Sequence, residues 1–442
     1  DGTNFSDNEY ESTILTTNYN TDDFLYTYIY AARDMDEQNM QDFDGSPARL
    51  LRMNYFNDWD QTSHEFRITS QFSETFEFVA GIYDWNVEYK QFWDVYDLFY
   101  QLSRLIGWQG GGWGSDVASS NGQNQTTDSQ AVYFSGDWHV NDLWTLTAGF
   151  RWTEEEKDFL GGNAGVGYYP LRGEPRPPLY DPKPYQAKWD ETTPKVGLRY
   201  QPNDDVMYYA TYSEGFKSGG FFGRQANFNI DPSYEPEFVK NYEFGWKSTL
   251  MDGRMIFNGA IFRSEYDDKQ ESILIPVDLT NVATVVRNAS SLEMDGIELE
   301  LMYQVTEAWD LMVTYGYLKS EYANYFADLT GDGIITDNSN LVPRNTPENT
   351  FGITTSYTTQ IGNGELKGRV SYRFRDEMES ESQNRPEGSL DSIENVNATI
   401  SYSVENYSIT AWGRNLTDER EQRWSTIGGL TSRGWWNEPQ TL

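Results

Sequence analysis

The chain has 442 residues, no cysteine and a formal net charge of −36 at pH 7. The lack of cysteine excludes disulfides, thiol catalysis and cysteine-based metal sites, and the strong negative charge argues against nucleic-acid binding. No run reaches the roughly 18 consecutive apolar residues that a membrane helix needs.

Apolar side chains recur at every second position, in paired runs joined by very short turns. In residues 131–152 the alternating apolar positions are Val132, Phe134, Trp138, Val140, Trp144, Leu146, Ala148, Phe150 and Trp152. Because successive side chains of a strand point to opposite faces, this pattern predicts one apolar and one polar face. Long polar segments separate one pair from the next, and this asymmetry is typical of an outer-membrane β-barrel.

In chain order, short turns are predicted near Asn20, Glu74, Asn141, Asn203, Asp252, Glu307, Asn363 and Asn406. Eight hairpins give about sixteen strands. Long external loops are then predicted at roughly 33–61, 85–130, 153–190, 214–236, 264–290, 319–348, 376–392 and 415–434. Within the second loop, apolar residues at three- and four-residue steps predict a helix over 91–106. This helix either packs against neighbouring loops or offers an aromatic platform to a substrate.

Four segments resemble the TonB-dependent outer-membrane receptors: Tyr209–Phe221, Arg287–Ala289 with Asp295–Glu300, Pro343–Thr350 and Gly413–Glu419. They occur in the order of that family, and a looser similarity covers nearly the whole chain. Locally, Gly215, Gly219 and Gly220 predict tight backbone at a strand exit. Asn415 is predicted to cap a strand end.

The resemblance implies an all-β fold, a transmembrane antiparallel up-and-down β-barrel, with about 22 strands in the family. About sixteen of them are represented here, so residues 1–442 are interpreted as one partial barrel domain. The N-terminal plug, the TonB-binding box, the first strands and the last strand of the family have no counterpart in this sequence.

The implied function is import of a scarce nutrient, such as a ferric siderophore or cobalamin, across the bacterial outer membrane. TonB would be the energising partner, acting through the missing N-terminal region, and outer-membrane lipid and lipopolysaccharide would surround the barrel. Two alternatives stay open: a passive porin or secretion channel, and a surface receptor that binds a partner without transport. Enzymatic activity is not expected, because the chain has two histidines and no zinc, nucleophile-elbow or phosphate-loop motif.

Candidate ligand-contacting residues lie in the predicted external loops. They are Trp108, Trp113, Phe221, Phe222, Tyr322, Tyr325, Trp435 and Trp436, for which packing among the loops is the alternative interpretation. Arg224 could hold a carboxylate or catecholate with its planar guanidinium. The negative total charge weakly disfavours a highly anionic substrate, but a sum does not separate inner from outer surfaces.

Alternation places Lys367, Arg369, Arg373 and Arg375 on one face of a single strand, the face predicted to line the lumen. These cations form either a charge network with carboxylates such as Glu298 and Glu300 or a path for an anionic substrate. Some partner is expected in either case, because a buried unpaired charge is costly.

Residues 328–339 resemble the first part of a calcium-binding loop. Asp328, Thr330 and Asp332 supply oxygen atoms at the first, third and fifth positions, followed by Gly333. Ser339 replaces the acid expected at the twelfth position. Calcium on an external loop and a plain acidic turn are the two interpretations, and no other cofactor is required.

Overall fold

The described part of the chain folds almost entirely into antiparallel strands, as the alternation of apolar and polar residues predicts. The computed structural model describes residues 4–42, 52–70, 73–96, 117–163, 179–224, 230–276, 282–330, 332–420, 422–428 and 431–441, without the side chains at 42, 52, 94–96, 117–120, 163, 180, 274–276, 282–284 and 423–435. Within the described residues, no helix is long and apolar enough to span a bilayer.

The strands in chain order are β1 (Phe5–Asn20), β2 (Phe24–Asp42), β3 (Arg52–Ser70), β4 (Phe76–Tyr96), β5 (Val117–Asn141), β6 (Trp144–Asn163), β7 (Tyr180–Asn203), β8 (Val206–Lys217), β9 (Gly220–Phe221), β10 (Ser233–Tyr234), β11 (Glu237–Leu250), β12 (Met255–Pro276), β13 (Val282–Thr306), β14 (Trp309–Ala327), β15 (Thr336–Asp337), β16 (Asn349–Ile361), β17 (Gly364–Arg375), β18 (Met378–Glu379), β19 (Ser389–Leu390), β20 (Ile393–Val404), β21 (Tyr407–Gly413), β22 (Gln422–Gly428) and β23 (Thr431–Trp436). One 3-10 turn, Pro386–Gly388, lies before β19.

Sixteen of these described strands form one antiparallel sheet in the order β1 to β8, β11 to β14, β16, β17, β20 and β21. Every strand therefore pairs with its neighbour along the chain. All eight predicted short turns are confirmed, and they lie at one end of the sheet, opposite the end that we call the loop end. Among the described residues, β1 pairs only with β2 and β21 only with β20.

Several strands extend far beyond the apolar alternation, so the loop boundaries predicted at 33–61, 85–130, 153–190 and 264–290 are wrong, whereas those of the loop predicted at 376–392, between β17 and β20, are confirmed. The loop predicted at 85–130 shrinks to the segment between Tyr96 and Val117, and the loop predicted at 264–290 shrinks to the segment between Pro276 and Val282. The reason is that ladder hydrogen bonds join backbone groups whatever the side chains are. Polar side chains end the apolar band without ending the strand.

The helix predicted over 91–106 is wrong for residues 91–96, which are the last residues of β4. The other positions of that prediction lie outside the described residues. Gln91 and Phe92 stand opposite Gln123 and Gly122 in the β4–β5 ladder. Phe92 is buried against Phe56, so packing between strands overrides the helical spacing of the apolar residues.

The sheet has two chemically distinct faces. We call the face that carries Val132 and Phe150 the outer face, and the opposite face, which carries Tyr133 and Arg151, the inner face. Val132 and Phe150 are 44% and 45% exposed although both are apolar. Exposed apolar side chains in a continuous band are expected where a strand meets lipid.

Asn415 joins several loop segments just beyond β21. It has a left-handed φ of 49°, and its side chain is 4% exposed. Its Nδ2 donates to the carbonyl oxygens of Glu419 (2.9 Å) and Glu438 (3.2 Å), while its Oδ1 accepts from the Glu419 N–H (3.0 Å). The predicted capping role is confirmed. Beside it, Arg414 and Thr441 form a two-way backbone bridge.

Replacing Asn415 with Ala should lower the free energy of unfolding by about 3 kcal/mol, because several buried hydrogen bonds are lost and the backbone is left in a strained conformation. Urea unfolding of the full chain in detergent measures this change. Asn406→Ala, in an exposed turn, is the control and should change it by less than about 0.5 kcal/mol. Equal effects of the two substitutions would contradict the capping role.

Candidate functional site

A segment of chain crosses the inner face at the loop end. Residues 218–224, which we call the crossing segment, leave β8 and run back over the neighbouring strands. Phe221 stacks on Phe159 of β6 with ring centroids 5.2 Å apart. Further along, the guanidinium of Arg224 lies 5.9 Å from the ring centroid of Tyr55 in β3. The segment therefore spans the inner face from β8 to β3.

The crossing segment is anchored at its start by polar contacts. Lys157 Nζ donates to Ser218 Oγ (2.8 Å) and to the Gly219 carbonyl oxygen (2.7 Å). Glu155 pairs with Lys157 at 2.9 Å and accepts a hydrogen bond from Ser218 Oγ at 2.6 Å. A Cβ on Gly219 would lie 2.5 Å from the Trp189 ring. This contact and that of a Cβ on Gly220 with the Tyr234 hydroxyl (2.6 Å) confirm the predicted tight backbone at the strand exit for Gly219 and Gly220, whereas Gly215 lies within β8.

The returning half of the same loop is held by the second family-like motif. Arg287 donates to the carbonyl oxygens of Ser233 (3.0 Å) and Asp231 (2.8 Å). Asn288 Nδ2 donates to the Glu235 carbonyl oxygen, and Asn288 Oδ1 accepts from the Glu235 N–H, both at 2.8 Å. The motif residues thus fix the loop to β13 through its backbone.

Opposite the crossing segment, β2 to β5 present amide and aromatic side chains on the inner face. One row across these strands is Glu37, Asn57, Gln91 and Gln123, and the next is Met35, Trp59, Tyr89 and Gln125. We call these eight residues the amide wall. Burial raises the pKa of Tyr89, and the positive charge of Arg224 opposes this shift.

Hydrogen bonds orient the amide groups of this wall. Asn57 Oδ1 accepts from the Tyr89 hydroxyl (3.1 Å) and from Gln91 Nε2 (2.9 Å), while Asn57 Nδ2 donates to Glu37 Oε2 (2.5 Å). Gln123 Nε2 donates to Gln91 Oε1 at 3.4 Å. Glu37 is the only ionised group among the eight residues of the wall.

The outer face of β1 to β5 is strongly acidic in the rows that adjoin those of the amide wall. Two outer rows across β1 to β5 carry seven carboxylates and one lysine in the described ladder: Glu9, Glu11, Asp34, Asp36, Asp58, Asp60, Glu88 and Lys90. The three inner rows beside them carry only Arg33 and Glu37 as charged groups in that ladder. The negative charge of this part of the chain is therefore on the outside.

Asp34 and Asp60 stand directly opposite each other in the acidic outer rows, beyond the apolar band. A hydrogen bond with Asp60, partial burial and the charges of Asp60, Asp36 and Glu11 raise the pKa of Asp34 to about 6. Asp34 therefore keeps its proton in mildly acidic solution.

Two predicted ligand-contacting tyrosines lie in a small apolar core at the loop end. Tyr322 and Tyr325 pack together with centroids 4.7 Å apart, in a cluster that includes Leu292 and Val285. Both are buried, so the structure shows the packing alternative for these two side chains. Burial raises the pKa of Tyr322.

Glu271 is a residue of this core that the sequence analysis missed. Its side chain is 0% exposed and pairs with Lys269 at 2.8 Å. It also accepts from the Tyr322 hydroxyl (3.1 Å) and from Ser382 Oγ (3.3 Å). The β12–β13 ladder shifts register between Tyr266 and Gln270, so simple alternation does not predict which face Glu271 occupies.

The other predicted ligand contacts are distributed around the loop end. Phe221 is buried in the crossing segment, Phe222 is half-buried and Arg224 is exposed. Trp436 is 59% exposed at the end of β23. Trp108, Trp113 and the side chain of Trp435 lie outside the described residues. Ligand contact by these residues stays a prediction.

The four predicted inner cations lie on β17, as alternation indicates. Arg375 is buried and donates to the carbonyl oxygens of Asp376 (2.9 Å) and Asp391 (3.2 Å). Lys367, Arg369 and Arg373 are exposed. Two strands separate β17 from β13, which carries Glu298 and Glu300, and no ion pair joins the two sets within the described residues. Both interpretations of these cations stay predictions.

The predicted calcium-loop residues lie between β14 and β15. Asp328 accepts hydrogen bonds from the backbone N–H groups of Thr330 (3.1 Å) and Gly333 (2.7 Å), and Asp332 accepts from the Ile334 N–H at 2.9 Å. No group of three or more acidic or histidine side chains suited to a metal occurs among the described residues. Calcium binding stays a prediction.

Comparison with known proteins gives one consistent result. The family model described as TonB dependent receptor-like, beta-barrel matches residues 1–416. The chain is 26% identical over 204 residues to the probable TonB-dependent siderophore receptor PiuA of Acinetobacter baumannii, covering 44% of this chain and 24% of that protein. It is 22% identical over 316 residues to the pesticin receptor of Yersinia pestis, covering 71% and 41%.

Solved structures show the same fold. The ferric yersiniabactin uptake receptor FyuA from Yersinia pestis matches with a TM-score of 0.78 at 17% identity, covering 99% of this chain and 60% of that chain. The siderophore receptor PiuA from Acinetobacter baumannii matches with a TM-score of 0.75 at 17% identity, covering 99% and 64%. The chain thus spans less than two thirds of these relatives.

Asp34→Asn should raise the melting temperature at pH 7.5 and leave it unchanged at pH 4. A raised pKa means that protonated Asp34 stabilises the folded chain below pH 3.8 and that this stability is lost as the pH rises through about 6. Thermal unfolding of the full chain in detergent at both pH values measures the effect. Asp22→Asn, at an exposed turn, is the control, and an equal pH dependence of both variants would contradict the raised pKa of Asp34.

Glu271→Ala should lower the free energy of local opening of the loop-end core by about 3 kcal/mol. The reason is that Lys269 loses the buried carboxylate with which it pairs. Hydrogen–deuterium exchange around Ser382 measures this opening. Glu321→Ala removes the partner of Lys319 on an exposed surface and should leave the exchange nearly unchanged. Similar exchange in the two variants would show that Glu271 does not hold this core together.

Proposed function

Because the chain belongs to the TonB-dependent receptor β-barrel family, we propose that it imports a ferric siderophore or a similar scarce nutrient. Members of this family are outer-membrane barrels, and the chain accordingly lies in the bacterial outer membrane. The observation that carries the proposal is that the crossing segment faces the amide wall on the inner face at the loop end. A polar inner surface covered by a loop provides groups that hold a ligand in a defined orientation.

The proposed path uses the two faces of the sheet differently. The exposed apolar band of the outer face contacts lipid and, at its outer rim, lipopolysaccharide. The long strand ends raise the ligand site above this band, and the inner face below it leads the ligand toward the periplasm. TonB energises the passage, since dependence on TonB defines the family. Calcium at Asp328 is not needed for this path.

A passive channel is the second candidate function, and one observation favours it. Porins narrow their lumen with a loop that folds inward, and the crossing segment folds inward here. Such a channel needs no energy source. Dependence of transport on TonB therefore separates the two functions.

Uptake of iron-55 siderophores by cells carrying the full-length receptor tests the proposal. The cells should lack their own siderophore receptors and be compared with and without TonB. We expect uptake with TonB and only background uptake without it, because passive leakage does not concentrate a scarce ligand. Equal uptake in both strains would contradict energised import and favour the passive channel.

A further inference from the structure

We propose that the amide wall is the ligand-recognition surface and that it selects an uncharged ligand scaffold rich in amide or hydroxyl groups. This inference rests on the proposed function and names its substrate class. Charged side chains are segregated between the two faces of the sheet. In a chain of net charge −36, the two rows of the wall carry one ionised group, Glu37, in the described ladder.

The neutrality of the wall is specific to its face. The same strands carry seven carboxylates in two rows on their outer face. Gln123 of the wall and Asn124 of the outer face are neighbours in sequence, yet they point to opposite sides of the sheet. Composition alone therefore does not explain why the wall is polar and uncharged.

The wall has the hydrogen-bonding chemistry that a neutral polar scaffold needs. A carboxamide offers two N–H donors and an oxygen with two lone pairs, so it recognises amides and hydroxyls equally well. The contacts from Glu37 through Asn57 and Gln91 to Gln123 use part of this capacity and fix the direction of each amide. Fixed groups bind with a smaller loss of side-chain entropy.

Aromatic rings stand between the amides. Trp59 and Tyr89 make an edge contact with centroids 5.5 Å apart, and Tyr55 lies above them at the level of Arg224. Such rings supply apolar area at a low entropic cost and carry polar groups at their edges. Aromatic faces combined with amides suit the ring or chain carbons of a polar, uncharged scaffold.

The crossing segment packs against the amide wall. A Cβ on Gly223 would lie 1.3 Å from Gln123 Oε1, so the backbone of the segment touches the wall directly. Arg224, next in the chain, lowers the pKa of Tyr89 through its positive charge, and the negative charge of Glu37 acts in the opposite direction. A highly anionic ligand would face one arginine and one carboxylate, which gives little net attraction.

Neutral peptide chelates and neutral oligosaccharides are both uncharged and rich in amide or hydroxyl groups. Binding assays distinguish these two kinds of ligand. Quenching of tryptophan fluorescence in the purified full-length receptor is measured with ferrichrome, a neutral peptide hydroxamate chelate, with the neutral oligosaccharide maltoheptaose, and with ferric enterobactin, a highly anionic catecholate. We expect one neutral probe to bind at least about tenfold more tightly than ferric enterobactin. Preference for ferric enterobactin, or no binding of either neutral probe, would overturn the proposal.

A pair of substitutions, one on each face of β5, tests whether the inner face binds the ligand. Gln123→Glu adds a charge to the wall at nearly constant size and should weaken binding of the neutral probe about tenfold. Asn124→Asp adds the same charge on the outer face and should leave binding unchanged. Retention of the heat-modifiable folded band in electrophoresis verifies that each variant is folded, and Gln123→Met replaces Gln123→Glu if the latter fails to fold. Equal effects of the inner and outer substitutions would refute recognition by the wall.

The outcome for this inference is separable from that for the proposed function. Binding of maltoheptaose alone would support the wall while removing the siderophore from the proposed function. TonB-dependent uptake of a catecholate, with tighter binding of ferric enterobactin, would support the proposed function and overturn the neutral substrate class.

Discussion

A chain that crosses a bilayer as strands must pair every backbone N–H and C=O within its own sheet, since lipid offers no partner. This constraint produces the continuous antiparallel ladder of sixteen described strands. Between β1 and β5 the ladder keeps its register up to Val95. The register assigns each side chain to one face, and the lipid band, the acidic outer rows and the amide wall all follow from that assignment.

The loop end is held together mainly by polar contacts. Lys157 fixes the start of the crossing segment, Asn288 fixes its return, and Glu271 joins β12, β14 and the segment that precedes β19. The apolar clusters there are small. A surface built on oriented hydrogen bonds keeps a defined shape, because each unsatisfied buried group would cost about 1–3 kcal/mol.

The sequence predicted the features that depend on neighbouring residues. Turn residues such as Asn203, whose Oδ1 accepts from the N–H groups of Asp205 and Val206, located all the hairpins, and alternation assigned the faces. Loop boundaries could not be predicted in this way, because a strand continues as long as its partner does. The extended end of β4 is the clearest example: its pairing with β5 overrides a helical spacing of apolar residues.

The candidate site was only partly accessible to sequence reasoning. Arg224 was identified from its type and neighbours, but its position over Tyr55 depends on a fold-back across several strands. The amide wall assembles from four consecutive strands whose wall residues are 20 or more positions apart in sequence from one strand to the next, and no local motif marks it. Glu271 was missed because a register shift precedes it. Separation of the charges by face required the register itself.

The most direct test of this account uses the absence of cysteine from these 442 residues, with any cysteine elsewhere in the receptor replaced by serine. Single cysteines along β5 would be spin-labelled in the full-length receptor in lipid, and their access to oxygen and to a water-soluble nickel complex compared. The account predicts that Val132 and Phe134 favour oxygen, that Tyr133 favours the nickel complex, and that Asp128 favours the nickel complex although it shares the face of Val132. Equal access at Val132 and Tyr133, or oxygen preference at Asp128, would contradict it.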